Sequence, residues 1–261
     1  MVKSITANWG VKPNPEPTRR QTKVTTTSIF PTSNQTYGNW LYVGKTPTDS
    51  VQVPYQHKPS TPADSVSQFN LVNLDSKNKA DVYGVMNGTL RGDAVEMYGI
   101  KHYKYKQCAP EDLVDIGNGK KLHRKCYEAF KKMQKAAKAE NITLIIVQAY
   151  RTVDDQKRLF KNKFKNKQHP TSAELKRRLK YAAPPGYSEH HTGLAVDINT
   201  TTSPFGSTKA YQWMKKHAKE FGFEQSFPEN NKQNLGCEPW HWRYVGDEEC
   251  AENFTNAREN R

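Results

Sequence analysis

From Leu122 to Ala139 apolar residues recur every three or four positions, with Leu122, Cys126, Ala129, Phe130, Met133, Ala136 and Ala137 on one side and lysines on the other. This period predicts an amphipathic helix whose apolar stripe is core. Asn141 closes it, and Ile142-Thr-Leu-Ile-Ile-Val147 follows as a continuous apolar run, predicting a strand buried on both faces. Leu194, Ala195, Val196 and Ile198 predict a second buried strand. Val153 to about Ala183 reads as helical, Ala210 to Phe221 as an amphipathic helix closed by Gly222, and Phe223 to Pro228 as a strand. After Asp247 the chain turns polar and predicts a frayed helix. Upstream, short apolar pieces between Phe69 and Tyr105, separated by Gly84, Gly88, Gly92 and Gly99, predict small strands and turns. Residues 1 to about 64 are rich in Pro, Thr, Ser, Asn and Gln and predict an extended, loosely packed segment. Its exception is Tyr37-Gly-Asn-Trp-Leu-Tyr-Val43, a short strand or an anchor for the domain or a partner.

Composition agrees with this division. Hydrophobic residues make up 35% of 261, a low fraction that points to a globular part joined to a polar part. The formal charge of +14 implies an anionic partner: cell wall, anionic membrane surface or nucleic acid. No known nucleic-acid motif appears and the basic residues are dispersed, so specific nucleic-acid binding is the weakest of the three. The basic run Lys161 to Gln168 reads first as a solvated helix end or loop, with a grip on anionic wall polymers as the alternative. No apolar run reaches the ~18 residues of a transmembrane helix, and the first residues lack the apolar core of a secretory signal. Four cysteines permit three pairings; Cys108 with Cys126 and Cys237 with Cys250 would suit an oxidising compartment, against four free thiols otherwise.

The chemistry concentrates in Ser188-Glu-His-His-Thr-Gly-Leu-Ala-Val-Asp197 and Glu238-Pro-Trp-His241. His190, Asp197 and His241 make a set of two imidazoles and one carboxylate that suits a catalytic zinc with its fourth position left to water. Glu238 is then left over as a base. His190 and Asp197 are seven positions apart, so on one unbroken strand they would face opposite ways. Gly193 lies between them and supplies the turn or bulge that brings Asp197 back. Pro239 and Trp240 stiffen the offset between Glu238 and His241.

These two stretches, SEHHTGLAVD and EPWHWRYVG, closely resemble the signature stretches of the VanY-like D-alanyl-D-alanine carboxypeptidases, and the resemblance spans about residues 98 to 247. It implies an α+β fold: a small, mainly antiparallel sheet carrying one zinc per chain, flanked by helices, with a polar N-terminal extension. The expected division is an extension over 1–95, a peptidase domain over 96–250 and a polar tail over 251–261. The implied activity is removal of the terminal D-Ala from stem pentapeptides of peptidoglycan, outside the cytoplasm. Arg151 would be catalytic and hold substrate, with Ser188 and Gln148 also on the substrate side. Gln156, Leu159 and Phe160 match the family's helix after the arginine. Three departures stand out: Thr152 replaces a serine, Cys237 replaces a tyrosine before the glutamate, and His191 replaces a glutamine. On extended chain His191 should point away from its neighbour His190. The same fold also serves peptidoglycan endopeptidases, L,D-carboxypeptidases and, in another class, non-catalytic binding modules.

Overall fold

The computed structural model describes residues 69–259 and, upstream, two short strands, β1 (Trp40–Val43) and β2 (Val51–Pro54), which pair antiparallel. Those two strands belong to a unit spanning Met1–Ser65, distinct from the unit Val66–Arg261. The apolar piece at Tyr37–Val43 is therefore a strand over its last four residues; residues 37–39 and, apart from β2, the rest of the Pro- and Thr-rich stretch lie outside the described residues.

The second unit opens with β3 (Leu71–Asn73), α1 (Lys79–Asn87), β4 (Ala94–Met97) and β5 (Ile100–Tyr103). β4 pairs parallel with β3 and antiparallel with β5. Helix α1 was not expected from the glycine-punctuated pattern. Its ends are set by Asn78, whose side chain accepts the Ala80 N–H, and by Gly88 at φ +72°. Gly84 sits within the helix because a Cβ there would come within 2.6 Å of Leu90; this glycine answers to packing, not to a turn.

A hairpin of β6 (Leu113–Gly117) and β7 (Lys120–His123) leads into α2 (Arg124–Ala139). The helix starts two residues later than its apolar pattern: Leu122 belongs to the hairpin, and the His123 ring accepts the Lys125 N–H as N-cap. Cys126, Phe130, Met133 and Ala137 are buried as the period requires. The apolar run after it is a strand only over β8 (Ile146–Gln148), at one edge of a sheet ordered β10-β11-β9-β8. Ile145 is 55% exposed, so burial on both faces does not hold. The Asn199 side chain accepts from the Ile145 N–H and donates to the Thr143 carbonyl, taking up backbone groups that a longer strand would have paired.

The long helical segment divides into α3 (Val153–Lys161) and α4 (Ser172–Tyr181). Each begins with a complete capping box, Thr152 with Asp155 and Thr171 with Glu174. The basic residues between them occupy the connecting loop. Next come β9 (Ala195–Ile198), α5 (Lys209–His217), β10 (Phe223–Gln225) and β11 (His241–Tyr244). α5 continues as one 3₁₀ turn to Gly222 at φ +78°. All three pairings in this sheet, β10 with β11, β11 with β9 and β8 with β9, are antiparallel, and the β9 side chains are all buried. The described residues thus form the expected α+β fold.

The C-terminal stretch is ordered rather than frayed. In α6 (Glu248–Glu252) and α7 (Thr255–Glu259), Cys250, Phe254 and Ala257 recur at helical spacing and are buried in the main core. The cysteines are free thiols: the Cys126 Sγ donates to the Leu194 carbonyl and the Cys108 Sγ to the Ala109 carbonyl, so neither local bridge forms. Among the described residues no helix is long and apolar enough to cross a membrane.

Phe254 is fully buried, with its ring 5.8 Å from that of Tyr105 and under the Arg243 guanidinium at 5.0 Å. Replacing it with alanine removes a complete core side chain, and Phe254→Ala is expected to cost about 3–5 kcal/mol. The check is urea unfolding; a loss below ~1 kcal/mol would show that the C-terminal helices add little to the core.

Candidate active site

Ser188 begins a 3₁₀ turn, Glu189–Thr192, by accepting the His190 N–H on its hydroxyl, and Gly193 at φ +68° ends it. The left-handed angle reverses the chain and feeds Leu194 into β9. A Cβ on residue 193 would lie 3.0 Å from the backbone nitrogen of His123, so the turn also needs the absence of a side chain. This is the break between His190 and Asp197 that their odd spacing demands. Asp197 in β9 faces His241 across the antiparallel pair with β11.

His190, Asp197 and His241 are buried, and each offers a ligand atom within 4.8 Å of the others, a set that can hold a metal ion. Asp197 Oδ1 is 3.5 Å from His190 Nε2 and 2.9 Å from His241 Nδ1. The two imidazoles meet edge to face with centroids 4.9 Å apart, and Phe227 stacks on His241 from the other side. Burial and the neighbouring Arg151 lower His190 to a pKa of about 4, which keeps it neutral and free to donate a lone pair. Burial works against a charged His241, but hydrogen bonds to Asp197 and Glu189 outweigh it and raise that ring to about 10. The two carboxylates that favour a charged ring there would equally favour a bound cation. Burial would raise the Asp197 carboxyl, yet the flanking His190 and His241 hold it well below the usual carboxylate range.

Glu189 was not singled out from the sequence, and it is the most connected group of the site. Its Oε2 accepts from His241 Nε2 at 3.0 Å and from the Ser226 hydroxyl; its Oε1 accepts from Arg243 Nη1 at 2.6 Å and from the Tyr105 hydroxyl at 3.3 Å. Burial alone would raise its pKa, but Arg243 and His241 hold it well below the ordinary range. The bond to Nε2 turns Nδ1 of His241 towards Asp197, an orientation of the kind that carboxylates impose on metal-binding histidines. The available signal was a carboxylate beside a ligand histidine, but its four partners come from three separate segments.

Glu238 and Arg151 line the same cleft, of about 500 Å³, together with Ser188, Gln148 and the three metal-type residues. A larger hollow of about 1140 Å³ beside α2 and β10 contains none of these groups. Burial outweighs the pull of His241 and Arg151 and raises Glu238 to about 7. Arg151 follows β8; its backbone N–H donates to the His190 carbonyl at 3.1 Å, while its buried Nε has no hydrogen-bond partner among the described residues. Gln148 is exposed on the cleft side of β8, and Cys237 is half-buried beside Glu238. His191 does turn away from His190, though the chain there is a 3₁₀ turn and not extended. Its ring is held between the Arg151 carbonyl at 2.7 Å and the Gly186 N–H at 3.1 Å.

Residues 119–247 match the VanY family, described as D-alanyl-D-alanine carboxypeptidase. This segment is similar to the VanY-like carboxypeptidases. A D-alanyl-D-alanine carboxypeptidase of Enterococcus faecalis is 31% identical over 161 residues, covering 56% of this chain and 60% of the relative. Another from Enterococcus faecium is 26% identical over 190 residues, covering 70% and 53%. The chain therefore spans little more than half the length of these relatives. Among solved structures, a vancomycin-resistance D,D-pentapeptidase VanY in complex with Zn(II) superposes with a TM-score of 0.46 at 26% identity, covering 58% of this chain and 92% of that one. The VanY segment contains both signature stretches and Arg151 but starts after Tyr105, one of the partners of Glu189.

If Glu189 orients His241, Glu189→Gln keeps an acceptor but removes the charge, and metal affinity is expected to fall about 10–100-fold. Competition against a chromophoric chelator measures this; an unchanged affinity would mean that other contacts hold the ring.

Proposed function

We propose that this cleft hydrolyses the terminal D-alanyl-D-alanine bond of peptidoglycan stem pentapeptides as a zinc-dependent D,D-carboxypeptidase acting outside the cytoplasm. The observation that supports this reading is the convergence of His190, Asp197 and His241 with Glu238 and Arg151 in one cleft. Two buried imidazoles and a carboxylate fit zinc, with a further position left for water or a substrate oxygen. When bound, the ion supplies Lewis-acid polarisation of the scissile carbonyl and lowers the pKa of water to roughly 7.

The remaining work falls to side chains of this chain. Glu238, with a pKa near 7 in this setting, takes a proton from the attacking water and passes it to the leaving amine. Arg151 lines the cleft and offers its guanidinium to the substrate, clamping the terminal carboxylate or the developing oxyanion by charge-assisted hydrogen bonds. Ser188 and Gln148 contact the substrate from the cleft wall. A carboxylate clamp close to the scissile bond favours cutting at the chain end, because an internal bond has no free carboxylate there. The anionic wall itself is the partner that suits a chain of formal charge +14.

The test is mass spectrometry of pentapeptide, tetrapeptide and cross-linked dimer muropeptides incubated with zinc-loaded protein, chelated protein and Glu238→Ala. The expected result is loss of one D-alanine from the pentapeptide, abolished by chelation and by Glu238→Ala while that variant still binds zinc. Cleavage of tetrapeptide or dimer in place of pentapeptide would move the enzyme to L,D-carboxypeptidase or endopeptidase action, and substantial turnover by Glu238→Ala would remove Glu238 as the base.

A further inference from the structure

A second group of ligand-type side chains lies behind the catalytic turn. Cys108, Asp112 and His123 offer a thiol, a carboxylate and an imidazole whose ligand atoms all lie within 4.8 Å of one another. The fold sets them together. Cys108 precedes the short turn Pro110–Asp112 and Asp112 ends it, and β6 begins at Leu113, whose register partner is His123 at the end of β7. Asp112 is thereby placed next to the histidine. Cys108 and His123 are half-buried and Asp112 is exposed, so an ion has access from solvent and a water can complete its shell.

The bonds these groups make within the chain are long. The Cys108 Sγ donates to the adjacent Ala109 carbonyl at 3.5 Å, and His123 Nδ1 accepts the Lys125 N–H at 3.3 Å. An ion needs one imidazole lone pair, so uptake exchanges that one long cap bond for a coordinate bond. A thiolate, a neutral imidazole and a carboxylate are a common donor combination for zinc, and the two anionic donors balance a divalent charge. Oxygen-preferring magnesium and calcium are poorly served by such a set.

We propose that Cys108, Asp112 and His123 form a second, thiolate-containing zinc site that braces the turn carrying His190. Two of its three residues already hold that turn by their backbones. The Cys108 N–H donates to the His191 carbonyl at 2.8 Å, and the His123 N–H donates to the Gly193 carbonyl at 2.9 Å. An ion linking the Pro110–Asp112 turn to the end of β7 fixes both donors relative to each other, and with them the 3₁₀ turn and its glycine. Ion binding at this site is independent of what the cleft does; only the bracing consequence rests on the peptidase reading.

Cobalt(II) titration of the full chain tests the proposal, because the catalytic trio contains no sulfur and cannot give a thiolate-to-cobalt charge-transfer band in the near ultraviolet. Wild type is expected to bind two equivalents and to show that band. Cys108→Ser should lose one equivalent and the band, Asp112→Asn should weaken the equivalent that carries the band, and Cys237→Ser should leave both equivalents and the band in place. His190→Ala should lose the other equivalent and keep the band, which separates failure of this site from failure of the catalytic one. A wild-type titration that ends at one equivalent without the band, or a band that survives Cys108→Ser, overturns the proposal.

Discussion

The site depends on one buried carboxylate. Glu189 lies out of reach of water, where an unpaired charge would be prohibitively costly. It is stable there because four donors converge on its two oxygens, and two of those donors come from a single strand: His241 and Arg243 are two positions apart on β11 and so project from the same face. Trp242 between them faces the main core. One carboxylate therefore fixes the rotation of a metal-type histidine, neutralises a fully buried arginine and ties the 3₁₀ turn to the sheet. Removing either partner of such a pair leaves an uncompensated charge, which makes the arrangement costly to alter piecemeal.

What could be read from the sequence follows how local each cause is. Helix α2 was legible because its six apolar positions repeat through adjacent turns, and β9 because Leu194 to Ile198 is buried throughout. The convergence of His190, Asp197 and His241 was legible because the two stretches together resemble a family's signatures, whereas the offset between His190 and Asp197 alone is weak evidence. Glu189 was not, since its partners Tyr105, Ser226, His241 and Arg243 are scattered over more than a hundred residues. The division of α3 from α4 was signalled by two threonine capping boxes, which the basic composition of the loop obscured. In α1 the glycines misled because one of them, Gly84, serves close packing against Leu90. The packing of the C-terminal helices was missed because three buried residues in a polar stretch become visible only once the arginine and tyrosine that Phe254 packs against are in place.

Adjacent residues in the signature stretch divide their tasks through backbone geometry. On a 3₁₀ turn successive side chains lie about a third of a revolution apart, so Glu189, His190 and His191 point in three directions. Glu189 reaches the buried arginine, His190 enters the cleft, and His191 secures the segment that supplies Arg151. The last contact has a chemical consequence. The His191 ring between the Arg151 carbonyl and the Gly186 N–H, and the Arg151 N–H on the His190 carbonyl, hold the arginine's backbone against the metal-type turn. Its side chain keeps a buried nitrogen without a partner. A cation anchored at its backbone and lining the cleft is organised for an incoming anion, because the entropy of placing the charge is met during folding.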